Sequence, residues 1–167
     1  MRRLLVLLTL LAAGVVTATA AAATHEVVQR NVTVPRLFTG LTDCQAFGYD
    51  FTFTARYTVK RSNVLYYDAS GNLVKEVVWA HFVGTNTNDT TGTVLRDDGQ
   101  RRLTFDYVNN TFTESGVLRH ITVPGSGIVL HESGRLILSM SDDSVISMAG
   151  PHQLFEGDLG AFCAALA

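Results

Sequence analysis

From residue 47 to residue 60 the chain alternates. Phe47, Tyr49, Phe51, Phe53, Ala55, Tyr57 and Val59 interleave with Gly48, Asp50, Thr52, Thr54, Arg56, Thr58 and Lys60. Successive side chains of an extended backbone point to opposite faces, so a period of two predicts a long strand with one aromatic, buried face and one wet face. A first strand is predicted at 27–34. Asp68-Ala-Ser-Gly-Asn72 carries turn residues between the apolar runs 64–67 and 73–83, the pattern of a hairpin. The Thr, Asn and Gly stretch 85–93 reads as a loop, and Asp97-Asp98-Gly99 as a second turn.

Further on, 103–108 and 111–123 are joined through Asn109-Asn110, residues that tolerate positive φ. Pro124-Gly-Ser-Gly127 leads into 128–140, and Asp142-Asp143 into 144–149. The segment 157–166 is short, Ala-rich and acidic at its start, and predicts a terminal helix pinned by Cys163. About eight strands in hairpin succession make an all-β antiparallel meander. Closure into a small barrel protects the edges of such a meander best, and a two-sheet β-sandwich is the alternative.

The first 23 residues stand apart from this pattern. Met1-Arg2-Arg3 is basic, 4–11 is almost continuously apolar, and 12–23 is rich in small residues with several A-x-A sites. This is the order of a secretory signal peptide, cut between Ala20 and Ala23. About 144 residues then remain as a single domain, 24–167, enough for a core of its own. Cys44 and Cys163 are the only cysteines, and in an exported chain they predict one structural disulfide. The expected location is therefore secreted or extracytoplasmic. The chain has 13 basic and 15 acidic residues, a net −2 that becomes about −4 once Arg2 and Arg3 leave with the leader. That balance argues against nucleic acid as a partner, and after signal cleavage against adhesion to an anionic membrane.

Candidate chemistry is sparse. No metalloprotease, hydrolase, phosphate-loop or zinc-finger spacing occurs, and no cofactor is implied. If Val123 pairs with Ile128 across the Pro124–Gly127 turn, Arg119 faces Glu132 and His120 faces His131, on opposite faces of the hairpin. The Arg119/Glu132 face is the more apolar and should point inward. There the pair is either a structural lock, a polar anchor for a ligand, or a catalytic pair. His120 and His131 are then weak metal candidates on the wetter face. A strict two-residue loop at Asn109-Asn110 reverses this, turning the histidines inward and Arg119 outward. A bulge at that loop restores the first arrangement. No spacing argument brings Glu114 or His152 to either pair.

The segments Val64-Leu-Tyr-Tyr-Asp-Ala-Ser-Gly-Asn72, Pro124-Gly-Ser-Gly-Ile-Val-Leu-His-Glu-Ser-Gly134 and Ala149-Gly-Pro-His-Gln153, with the Cys163-Ala-Ala-Leu ending, resemble a family of small exported bacterial β-proteins without an assigned activity. The resemblance implies export and a β fold. A looser likeness to lipocalin-like and allene-oxide-cyclase-like barrels rests on architecture, and the lipocalin G-x-W motif is absent, since Trp79 lies mid-chain. Three functions compete. The favoured one is a binding module whose aromatic interior (Tyr49, Phe51, Phe53 and Tyr57, with Arg119 and Glu132) holds a small apolar or amphipathic molecule, Trp79 adding to it if it faces in. The second is a small barrel enzyme, an isomerase, cyclase or hydrolase using Arg119 and Glu132. The third is an extracellular protein-interaction or inhibitor domain using the 85–93 loop.

Overall fold

The computed structural model describes residues 23–123, 125, 127–153, 156 and 159–167. Apart from Ala23, the expected leader lies outside the described residues. So do Pro124 and Ser126 of the predicted turn and Gly157 and Asp158 at the predicted helix start.

Seven antiparallel strands follow one another in chain order across a single sheet: β1 (Thr24–Leu41), β2 (Phe53–Tyr67), β3 (Leu73–Asn88), β4 (Val94–Asp106), β5 (Thr111–Val123), β6 (Gly127–Ser139) and β7 (Val145–Ala149). A short 3-10 helix (Asp43–Phe47) separates β1 from β2, and α1 (Gly160–Leu166) ends the chain. The all-β meander and terminal helix stand as expected. The strand count is seven among the described residues, not about eight, because the runs on either side of residue 62 form one strand, β2. Both strands at the ends of the order are edges: β1 pairs only with β2 and β7 only with β6. The sheet is therefore not closed, and it is not divided into two.

Three local expectations are corrected. Phe47, Tyr49 and Phe51 precede the paired part of β2. Gly48, in the left-handed region at φ 83°, ends the 3-10 helix there. Asp97-Asp98-Gly99 is no turn but the middle of β4, opposite Gly84, Val83 and Phe82. The Phe82 ring lies across the Cα of Gly99, where any Cβ would collide with it. The polar run 85–93 is strand as far as Asn88, and Asn88 Oδ1 accepts the Thr90 and Thr91 amides to turn the chain into β4.

Residues paired across strands share a face, so the register sorts every strand into an inner and an outer side. The inner side carries Phe53, Ala55 and Tyr57 of β2, Ala80 and Phe82 of β3, Leu95 of β4, Ile121 of β5 and Leu130 and Leu136 of β6, all buried. The Arg119 guanidinium on β5 reaches the Tyr57 hydroxyl on β2 at 2.7 Å, although two strands intervene. Neighbouring strands lie about 4.8 Å apart, so this contact requires strong curvature toward the inner side.

One end of the curved sheet is filled. Phe53, Leu95, Ile121 and Leu130 pack with Phe162, Cys163 and Leu166 of α1 into one apolar cluster. Phe53 meets Phe162 edge to face at 5.5 Å, and Asn88 Nδ2 donates to the Leu166 carbonyl at 3.1 Å. The expected Cys44–Cys163 disulfide ties the 3-10 helix to α1 over 119 residues of sequence. On loop-closure entropy such a link stabilises the fold by ~4–5 kcal/mol. Among the described residues no helix is long and apolar enough to cross a membrane.

Candidate functional site

Beyond the α1 plug, the inner side becomes polar. Tyr57, Asn86 and Asp97 are buried there, and Arg119 is half-buried. The Tyr57 hydroxyl donates to Asp97 Oδ2 at 2.8 Å, lies 3.1 Å from Asn86 Oδ1, and accepts from Arg119 Nη2. Arg119 Nε stands 3.4 Å from the same Asp97 oxygen. Burial pushes the Tyr57 phenol far above its ordinary value; the Arg119 charge opposes this and Asp97 adds to it. Burial also raises the Asp97 carboxyl, against the pull of Arg119 and its hydrogen bonds. A neutral phenol clamped between a carboxylate and a guanidinium is a rigid donor and a poor base.

Next to this belt, between β1 and β4, the inner side leaves a cavity of about 240 Å³. Its walls are Phe38, Val59, Val78, Phe82 and Leu103, with Tyr57 at one end. Three arginines also line it: Arg36, Arg61 and Arg101. Ala80 pairs with Arg61 on one side and Arg101 on the other, so its methyl group leaves open space between two long cationic side chains. Arg101 Nη1 bonds Glu114 Oε1 at 2.6 Å, and its guanidinium lies 5.3 Å from the centre of the Phe82 ring.

Arg119 faces Glu132 and His120 faces His131 in the β5–β6 register, as expected from the sequence. The turn end slips by one residue: Thr122, not Val123, pairs with Ile128. At the other end, Asp106 pairs with Thr111 around a four-residue turn, which leaves Phe105 and Phe112 on one face with rings 5.0 Å apart. The residue that changes the phase is Leu118, an extra position between Val117 and Arg119 relative to both β4 and β6. The bulge needed to turn Arg119 inward thus exists, but in mid-strand and not at Asn109-Asn110.

Arg119 and Glu132, although cross-strand neighbours, form no ion pair with each other. Arg119 engages Asp97. Glu132 is buried, bridges in the backbone to His152, and places Oε1 3.7 Å from His152 Nδ1. His152 is fully buried and was not reached by any spacing argument. Burial raises the Glu132 carboxyl, with His152 opposing, and Glu132 Oε2 has no hydrogen-bond partner among the described residues. His120 and His131 lie half-buried on the outer side, their rings edge to face at 5.8 Å. His120 Nδ1 is 3.6 Å from Asp98 Oδ1, and His131 Nε2 is 2.9 Å from Ser133 Oγ. Among the described residues no three His, Cys, Asp or Glu side chains converge to hold a metal ion.

The predicted aromatic lining divides in two. Phe51 and Phe53 belong to the cluster sealed by α1, with Tyr49 packed against it; only Tyr57 reaches the cavity. Trp79 faces outward with Arg102 stacked 5.8 Å from its ring centre, and is 42% exposed. Sequence reasoning missed Arg36, Arg61 and Arg101. Comparison with family models, with curated proteins and with solved structures gave no match.

Proposed function

We propose that this chain is an exported binding protein for a small apolar or amphipathic molecule, held on the inner side of a barrel left open between β1 and β7. The observation that carries the reading is the cavity of about 240 Å³ beside Tyr57, with apolar walls, in a sheet whose α1 end is packed solid. A few fixed polar groups at the end of an apolar hollow are the usual composition of a ligand site. Tyr57 and the arginines of the lining supply them, and Asp97 and Arg119 hold Tyr57 in place. The volume is below the common range for drug-sized ligands, which favours a compact guest. Export is supported by the leader pattern and by the Cys44–Cys163 bond, which persists in oxidising compartments. The enzyme reading has less behind it, because Arg119 and Glu132 each have a separate partner and Tyr57 is held neutral.

Methyl-resolved NMR during titration with octanoate tests the reading. The Val59, Val78 and Leu103 methyl signals are expected to move, and those of Leu95 and Leu166 to stay. Shifts confined to surface residues, or none at all, would overturn it.

A further inference from the structure

The three arginines of the cavity wall have no counterpart of opposite sign there: no aspartate or glutamate lines the hollow, in a chain whose net charge is −2. Arg101 is already compensated by Glu114. Arg36 is exposed at the rim, where water solvates it. Arg61 is different. It is half-buried, forms none of the ion pairs among the described residues, and its Nε is shielded from water without a hydrogen-bond partner. The Nε of Arg101 is likewise buried and unpartnered, on the far side of Ala80. Two guanidiniums thus flank the alanine gap, and that of Arg61 has no carboxylate partner among the described residues. A guanidinium is met best by a planar anion that accepts two parallel hydrogen bonds.

We infer that the guest is a small carboxylic acid, bound as its carboxylate between Arg61 and Arg101 above Ala80, with its hydrocarbon part against Phe38, Val59, Val78 and Phe82. This rests on the cavity reading above and adds the charge of the head group. A single negative charge fits better than a double one, because among the described residues that line the cavity Arg61 alone is half-buried without a carboxylate partner. The size fits the hydrocarbon part: at about 30 Å³ per water-sized atom group, the cavity of about 240 Å³ takes roughly eight, enough for the seven-carbon tail of octanoate with its head group in the gap between the arginines.

Calorimetric titration of the intact protein with octanoate and with 1-octanol at pH 7 separates the two claims. The acid is expected to bind at least tenfold more tightly than the alcohol, a difference of about 1.4 kcal/mol. Arg61→Gln is expected to bring the acid-to-alcohol affinity ratio to within about twofold. Equal affinity for acid and alcohol, or a preference for the alcohol, overturns the carboxylate assignment and leaves the cavity reading standing. Binding of neither overturns both. A preference that persists in a folded Arg61→Gln variant also overturns the assignment. Should that variant not fold, the acid-to-alcohol ratio of the unaltered protein decides alone.

Discussion

Glu132 has one carboxylate oxygen 3.7 Å from His152 Nδ1 and the other without a donor among the described residues, and burial raises its pKa. A carboxyl raised in this way holds its proton more tightly in the folded than in the unfolded state. Stability from this group is therefore greatest below the ordinary carboxylate range and declines as pH rises through the folded value. Glu132→Gln removes the decline. The variant is expected to match the parent at low pH, where both states are protonated, and to melt higher at pH 7 by about 2–4 °C, the shift that ~1 kcal/mol produces in a chain of this size. Thermal unfolding followed by circular dichroism from pH 4 to pH 8 checks this. A variant less stable at pH 7 would mean that the His152 contact outweighs desolvation. Arg119 opposite Glu132 was expected from a turn pairing that itself slips by one residue, and an irregularity between Ile121 and Thr122 restores it; their actual partners were not legible. Asp97 was hidden by its place in an apparent turn sequence, and His152 comes from a segment after the last strand. The cavity arginines did leave a trace. Arg61 is in phase with Tyr57 and Val59, and Arg101 with Leu95 and Leu103, so each occupies a position of the apolar face. A cation in phase with buried residues is the signal that a count of exposed charges overlooks.

Among the elements, β5, β6 and the segment just after β7 share a backbone feature, glycines at strongly positive φ. Gly116 and Gly134 pair with each other, and each has φ 121°, a conformation that L side chains rarely adopt. A Cβ on Gly134 would press on the Ala149 carbonyl, and one on Gly116 on the Gln100 carbonyl. Gly134→Ala is therefore expected to cost ~3 kcal/mol or more, combining strain with a backbone clash. Gly71→Ala, at φ 82° in an open turn, should cost only ~1–2 kcal/mol. Urea denaturation of the two variants measures the difference, and equal costs would show that the close approach at Gly134 adds nothing to the strain of a positive φ. Strand existence was legible because alternation is set by burial on one face. The Leu118 bulge was not, because one extra residue changes the phase without a sequence mark of its own. Asp97-Asp98-Gly99 misled for the opposite reason: turn-forming residues were recruited into β4, with Gly99 there to admit the Phe82 ring.

For the molecule as a whole, the arrangement is a sheet curved around its own inner face, sealed at one end and polar in the middle. Helix α1 supplies the seal, and the disulfide holds it against the entry to β2. Two cysteines at opposite ends of the expected mature chain made this link legible in the sequence. Whether the edges meet was not legible, because closure depends on curvature and shear accumulated over seven strands, which local patterns do not encode. The aromatics of residues 49–53 illustrate the same limit. Their inward phase was visible, but the helix that covers them lies more than 100 residues away in the chain. The inner side keeps a hollow by Phe105, Phe112 and Leu138 as well as the one beside Tyr57, which carries the account. Native mass spectrometry of the disulfide-bonded protein, purified without detergent and offered a small excess of octanoate, tests that hollow most directly. The account predicts one bound molecule per chain and no more. A bare chain mass, or a ladder of several adducts as from non-specific coating, would contradict it.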